Sequence, residues 1–471
     1  MKILIVNTNR EKSPHTLIPI GACCIASAAE AAGHDVQFLD LCFSRHPAAE
    51  IGELVSRTQP DVVGFSIRNL DNCDYVSPHS YLPEIREIIT ACKRACDAKI
   101  VIGGPAVSQS PAAVARYMGC EMVVSGEGEK AFPALLKAIV NKDDPADVSG
   151  VVVVTGDEVR AHQPVPITDM NELPDPQLSR WLNLRHYAAY EAAFPIQTKR
   201  GCMFKCSYCC YPLLEGSAWR LKDPEWVADQ AALACASGLR MIDFVDSVFG
   251  LPEEHAVACC EAIARKSVNI PLSTLDLNPL ACSPDIITAM NAAGFSAVGI
   301  TAESGSDTML SSLNKGFDSY YLRHAASNLR KLNARKLWMF MIGGPGETEA
   351  TVKETVKFIE ELPESDLVLV THGIRVLPGT ALRDRLVNEE IIQSDDDLVE
   401  PAFYYSPHIT PQRAAEIFAA SSFPSENIVT LTDCSHHLAP IVQKIAAMLG
   451  AHPPYWRNLP FINRTRRVLH V

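Results

Sequence analysis

Residues 198–216, "TKRGCMFKCSYCCYPLLEG", place Cys202, Cys206 and Cys209 at C-x3-C-x2-C spacing, with Cys210 directly after. In a chain that otherwise reads as reduced, three thiols this close are best satisfied by a metal. A closed structural zinc site would want a fourth protein ligand. Cys210 could supply it, although adjacent cysteines point apart and seldom share one ion. A [4Fe-4S] cluster that only carries electrons takes four thiolates. Three thiolates would leave one iron open to a small molecule.

Working outward, the remaining cysteines look different. The chain has sixteen, and those at 23, 24, 92, 96, 235, 259 and 260 sit in apolar segments of a long sequence without a secretory signal. They read as small, buried, reduced residues. With 471 residues, 47% of them hydrophobic, the chain exceeds the roughly 250 to 300 residues at which single cores stop growing, so more than one domain is expected. Charged residues make up 21% and the net charge is -13; a basic nucleic-acid footprint is missing. The opening "MKILIVNTNREK" has the pattern of a buried strand, and no apolar run reaches the roughly 20 residues that spanning a membrane requires. A cytoplasmic protein is expected, one that a lipid-like substrate could still bring to a membrane surface.

Upstream of the cysteines, residues 1–140 alternate strand and helix. "KILIVNT", "HDVQFLDL", "PDVVGFSI", "AKIVIGGP" and "CEMVVSGEG" are apolar runs at helix-separated intervals, which predicts a doubly wound parallel sheet. Ligands bind beyond the carboxyl ends of such strands. Those ends carry Asn7 to Pro19, Ser66-Ile67-Arg68, Gly103-Gly104-Pro105 and Gly126-Glu127-Gly128, a crevice that would admit a large flat ligand close to backbone. Residues 141–195, with "NKDDPAD" and "PVPITDMNELPDPQ", read as a linker.

Downstream, "PIQTKRGC", "MIDFVDSVFG", "IPLSTLDL", "FSAVGITAESGS", "LWMFMIGGPGE" and "LVLVTHGIRVLPGT" are six strands with helices between them. Such a series predicts a partial or complete barrel over 196–390 with its site at the strand C-termini. Asp246, Asp276, Glu303, Gly343 to Glu347 and Arg375 lie there; for Asp276 and Arg375, holding a ligand and plain salt bridging are equal readings. "FYYSPHI" could offer Tyr404, Tyr405 and His408 to a substrate or simply pack the barrel's open side. Residues 391–471 read as a small, mainly helical C-terminal region whose arginines at 464, 466 and 467 form a solvated face.

The cysteine motif, with aromatic Tyr208 before its last cysteine, resembles the signature of radical S-adenosylmethionine (SAM) enzymes. The resemblance implies a [4Fe-4S] cluster on Cys202, Cys206 and Cys209, with SAM chelating the open iron and being cleaved to methionine and a 5'-deoxyadenosyl radical. "FVDSVFG" resembles the family's second-strand motif and implies Asp246 near the SAM amino group, although Ser247 stands where an acidic residue is common. Tyr208 resembles the adenine neighbour. "TAESGS" resembles the fourth-strand motif and implies SAM contacts from Glu303 and Ser304. "MIGGPGET" and "RVLPGTAL" resemble the fifth- and sixth-strand signatures, and Arg375 is expected with them as a SAM or substrate group.

The first half resembles the cobalamin-binding domain that precedes the barrel in one large class of these enzymes. "HTLIPIGACCIASAAEAAGHDVQFLDL", "VGFSIR", "VIGGP" and "VVSGEGE" carry the likeness, and imply cobalamin contacts from Ser66, Gly103, Gly104, Gly126 and Glu127. The D-x-H-x-x-G element that gives cobalt a histidine is absent, and His15, the only histidine in its loop, lacks that context. Arg68 could instead lie against the lower face of cobalt, where a permanent cation with no lone pair to give would disfavour a lower ligand; pairing with Asp71 or Asp74 is the competing reading.

Together the resemblances imply an α/β enzyme with a Rossmann-like cobalamin domain, a radical SAM partial (β/α)6 barrel and a small C-terminal region. The expected activity is methylation of an unactivated carbon of a small-molecule or lipid-like substrate through methylcobalamin and the 5'-deoxyadenosyl radical. An external electron donor of the flavodoxin or ferredoxin type is expected as a partner. The rivals are cyclisation, rearrangement or carbon-carbon coupling with the same cofactors, a non-catalytic cobalamin or iron-sulfur sensor, and a zinc-stapled structural domain.

Overall fold

A computed structural model describes residues 1–12, 16–430 and 456. His15 and the arginines at 464, 466 and 467 lie outside the described residues. The first sheet is built from β1 (Lys2–Asn7), β2 (Asp35–Asp40), β3 (Val62–Ser66), β4 (Lys99–Gly103), β5 (Met122–Val124), β6 (Val151–Thr155) and β7 (Glu158–Ala161). Their spatial order is β2-β1-β3-β4-β5-β6-β7, parallel through β5 and antiparallel thereafter. β1 is buried along its length after Lys2, as expected where helices cover both faces of a parallel sheet. The strand order reverses between β1 and β3, so the crevice opens beyond Asn7 and Ser66.

The segment expected to be a linker is more structured than its prolines suggest. β6 and β7 are a hairpin that completes the first sheet: "VVVV" is buried on both faces while β7 is wholly exposed and charged, a common protection for a sheet edge. Beyond it, Trp181 Nε1 donates to Ser27 Oγ at 2.8 Å and the Tyr187 hydroxyl to Asp40 Oδ2 at 2.8 Å. This stretch is therefore docked on the first domain. One apolar core runs from Ile3 and Val36 through Trp181 and Tyr187 into the helices of the second half.

The second sheet contains β8 (Phe194–Ile196), β11 (Ile242–Phe244), β12 (Leu272–Leu277), β13 (Phe295–Glu303), β14 (Arg335–Ile342), β15 (Leu367–His372) and β18 (Ile428–Thr430), ordered β18-β15-β14-β13-β12-β11-β8 with every neighbour parallel. The six expected strands are present. A seventh, β18, comes from the C-terminal region, which was expected to be mainly helical; "IVT" is too short to signal a strand unless β15 is already there to pair with it. Two small pairs complete the fold: β9 (Lys199–Arg200) with β10 (Arg220–Leu221), and β16 (Ile374–Arg375) with β17 (Phe403–Tyr404), both antiparallel.

Candidate functional site

β9 and β10 close the stem of the loop that carries the cysteines. Gly201 turns the chain into that loop at φ +94, where a Cβ would lie 2.1 Å from the Ala218 carbonyl oxygen, so only glycine fits. The loop is pinned by Cys202 N–H to Gly216 O at 3.0 Å, Ser207 N–H to Leu313 O at 2.9 Å, Asn314 Nδ2 to Lys205 O at 2.7 Å and Leu382 N–H to Ser207 O at 2.7 Å. Cys210 turns inward as the residue before the helix Tyr211–Glu215. Burial pushes the Cys209 thiol up to about 12, with Cys210, Cys206 and Cys202 adding to the shift, so the thiols stand within electrostatic reach of one another.

Among the described residues, no three His, Cys, Asp or Glu side chains converge tightly enough to hold one metal ion. A polynuclear iron-sulfur cluster bridges thiolates spread around its corners, and three free cysteines on one pinned loop fit that donor set.

Above the loop stands Glu303. Tyr208 donates to its Oε1 at 2.9 Å, and Lys315 Nζ donates to the same oxygen at 3.3 Å and to the tyrosine hydroxyl at 3.2 Å. Glu303 has φ +63 at a register shift in β13, a strained backbone of the kind that clusters at functional sites. Burial works against the Lys315 ammonium, yet Glu303 and Cys206 hold its pKa above the ordinary lysine value. Deeper in the mouth, Asp243 accepts from Ser273 Oγ at 2.6 Å and is pushed by burial up to about 6. Burial, then Asp243, Asp246 and Glu303, push Asp276 up to about 7.

Four residues expected at cofactors have protein partners. Asp246 is buried and saturated by Thr198 N–H and Oγ1, both at 2.6 Å, and by Lys199 Nζ at 2.9 Å; it anchors the strand that leads into the cysteine loop. Ser304 is fully buried, its hydroxyl 2.9 Å from Thr355 Oγ1, which fastens β13 to the helix Glu349–Glu360. Arg375 donates Nε to Asp71 Oδ2 at 2.8 Å and its remaining nitrogens to the carbonyls of Val376, Ala402 and Leu398. Glu127 is spent on Arg200, Arg220 and the N–H of Ile167. In each case an ionic or polar group taken from water found protein partners, as burial demands.

At the first domain's strand ends, the Ser66 hydroxyl makes no hydrogen bond among the described residues, and Thr16 Oγ1 is buried without a partner there. These open polar atoms fit a ligand in the crevice. Gly104 has φ +108 and a Cβ on it would meet the Ile67 carbonyl oxygen at 2.5 Å, while one on Gly103 would meet Val124 O at 3.2 Å. The paired glycines thus bring two strand ends together, and Gly126, at φ +79, donates its N–H to Ser108 Oγ at 2.9 Å. Asp71 is taken by Arg375, and among the described residues Arg68 forms no ion pair; its Nη1 lies 3.1 Å from the Asn69 side-chain oxygen in that amide's satisfied orientation. Arg68 keeps exposed surface while burial lowers its pKa, opposed by Tyr211, Tyr81 and Cys73. It stands near Tyr211, which is 47% exposed and also near Asp276. The helix Pro105–Gln109 that follows the paired glycines packs on the helix Tyr211–Glu215.

One side of the mouth is aromatic. Tyr405 stacks on Tyr75 with ring centroids 5.2 Å apart, and its ring covers Gly343. Tyr404 is buried beneath, and His408 is exposed. Lys199, Asp243, Tyr211 and Lys315 were not singled out from sequence. Lys199 and Tyr211 lie inside the quoted stretch; Asp243 and Lys315 had no local signal, because their neighbours come from distant strands.

Residues 6–136 match the family model described as B12 binding domain, and residues 196–359 match that of the Radical SAM superfamily. An uncharacterized methyltransferase of Pyrococcus horikoshii is 27% identical over 77% of this chain and 78% of its own length. The tryptophan 2-C-methyltransferase of Streptomyces laurentii is 24% identical over 82% of this chain and 74% of that protein. The solved structure of the radical S-adenosylmethionine methyltransferase TsrM from Kitasatospora setae, with cobalamin and a [4Fe-4S] cluster bound, shares the fold at TM-score 0.86 and 21% identity, covering 100% of this chain and 99% of that one.

Proposed function

From a chain that belongs with the cobalamin-binding radical SAM proteins, we propose an enzyme that methylates an unactivated carbon of a small-molecule or lipid-like substrate. The observation that carries this reading is the packing of the helix Pro105–Gln109, which follows the paired glycines, on the helix Tyr211–Glu215, which follows Cys209 and Cys210. Relatives named as methyltransferases support the reaction class.

When bound, cobalamin supplies a methyl carrier, and the iron-sulfur cluster with SAM supplies hydrogen-atom abstraction. The chain's own residues do the rest. Cys202, Cys206 and Cys209 would hold the cluster. Tyr208 and Lys315 occupy Glu303 Oε1, so that Oε2 stays available for a polar group of SAM. Ser66 and the turn at Gly103-Gly104 receive the corrinoid, and Arg68 presents a cation that cannot ligate. Asp276, poised near neutrality, accepts from a donor on SAM or substrate. The aromatic wall of Tyr75 and Tyr405 excludes water. An external donor of the flavodoxin or ferredoxin type would supply electrons in the cytoplasm; no described helix is long and apolar enough to cross a membrane.

The test is anaerobic reconstitution with iron, sulfide and hydroxocobalamin, then turnover with SAM and candidate substrates. About four irons and one cobalamin per chain, with a product heavier by one methylene, are expected. Iron without cobalamin, or products rearranged with no mass gain, would overturn methyl transfer.

A further inference from the structure

The two arginines at the stem of the cysteine loop stand directly opposite each other, Arg200 on β9 against Arg220 on β10. Like charges at opposed positions of an antiparallel pair repel, and these side chains are only 12% and 10% exposed. The stem alone is therefore a poor place to close a loop. Compensation comes from the first domain. Glu127 Oε1 accepts from Arg200 Nη1 at 3.1 Å and Glu127 Oε2 from Arg220 Nη1 at 2.5 Å. Glu129 Oε2 accepts from Arg200 Nη1 at 3.2 Å, and Glu129 Oε1 from Arg200 Nη2. Two cations meet two anions across the domain boundary.

The carboxylates are themselves held in place. Glu127 is the residue before the helix Gly128–Asn141 and Glu129 is in its first turn. The chain enters that helix at Gly126, with φ +79, and packs Gly128 against Ile25 of the helix Ile20–Ala31. At the other end, Arg200 precedes Gly201 and Cys202 without a spacer, and Arg220 also donates to the Glu215 carbonyl at the end of the loop helix.

We propose that Glu127 and Glu129 are positioning residues that make closure of the cysteine loop conditional on the docked first domain, and thereby set the separation between the two cofactor sites. The second clause rests on the function proposed above; the first does not. Buried ion quartets of this kind are poor value as stability and good value as geometry, since an apolar contact of the same area would not fix direction.

The test uses the full chain and the variants Glu127→Gln and Glu129→Gln, with Asp144→Asn, an exposed first-domain carboxylate, as control. In the apo-protein, amide hydrogen exchange over residues 199–221 should be about tenfold faster in both variants and unchanged in the control, while β1, β3 and β14 keep their protection. In protein reconstituted with both cofactors and reduced, pulsed electron paramagnetic resonance should show a narrow separation between the cluster spin and the cobalt(II) spin in the wild type, and a broadened one in the variants. Wild-type protection of 199–221 in both glutamine variants would overturn the clamp; an unchanged spin separation in variants that retain both cofactors would overturn its role in spacing. Should the glutamine variants unfold outright, Arg220→Lys, which keeps the charge and loses the fork, decides by the same exchange measurement. Absence of a methylated product from a wild type with a defined spin separation would sink the proposed reaction and leave the clamp standing.

Discussion

Tyr208 and Glu303 are joined by a 2.9 Å hydrogen bond although 95 residues separate them in sequence. The bond ties the cysteine loop to the end of β13 and orients a carboxylate whose backbone is already in the left-handed region. Removing the hydroxyl with Tyr208→Phe keeps the ring and leaves Lys315 alone to hold the carboxylate. A hydrogen bond to a charged group is worth about 1.5–3 kcal/mol, and only part of that reaches the ligand. SAM affinity of the reconstituted protein should fall about tenfold, with iron content unchanged; equilibrium binding measures the first and chemical analysis the second.

Gly201→Ala should disable the cysteine loop alone. The added methyl would stand 2.1 Å from the Ala218 oxygen in a backbone conformation that alanine disfavours. After identical reconstitution, iron per chain should drop well below wild type while cobalamin retention persists. Full iron loading would refute the assigned geometry.

Arg375 and Asp71 form a buried pair between the halves, side chains 5% and 3% exposed. Breaking such a pair from one side costs about 3–5 kcal/mol, because the survivor stays buried and unpaired. Asp71→Asn and Arg375→Leu should each lower the denaturant midpoint accordingly, and SAM affinity of the folded fraction should not change. A selective loss of SAM binding at unaltered stability would restore Arg375 to the cofactor.

Asp276 gives a pH signature. Its folded pKa of about 7 lies above the ordinary carboxylate value, mainly through burial and then through Asp243, Asp246 and Glu303. The folded state therefore holds this proton more tightly than the unfolded chain does. Stability from this group is present in full below the unfolded pKa and is lost as pH rises toward 7. Asp276→Asn removes that loss, so its unfolding midpoint relative to wild type should climb between about pH 4 and 7 and level off above. Thermal melts of the apo-protein across that range provide the check; a pH-independent difference would place the Asp276 carboxyl in water.

Arg68 is exposed and carries no ion pair among the described residues, so Arg68→Ala should leave the fold intact and, on the function proposed above, alter the absorption spectrum of bound cobalamin. Identical cobalt spectra and turnover would remove Arg68 from the site.

Much of this protein was legible before any fold was known. Apolar runs separated by helices predict two parallel sheets, because parallel strands are buried on both faces and must be crossed by helices. The C-x3-C-x2-C spacing marks the metal loop, because a metal recruits its thiols locally. Tyr208 and Glu303 were found by their motifs, and the structure brings them together. Their partner Lys315 was not, since a lysine in "LNKGF" announces nothing until β13 is beside it.

What the sequence determined by itself is whatever depends on near neighbours: strand periods and the cysteine triad. Only the tertiary structure decided how charge is shared. Asp246, Glu127 and Arg375 looked like ligand groups because they sit at strand ends, yet Lys199, Arg200 with Arg220, and Asp71 claimed them. The reason is energetic: an ion leaving water must be paired at once, and its partner can come from any part of the chain that folding brings near. Among the described residues, Asp276 and Arg68 have no such partner.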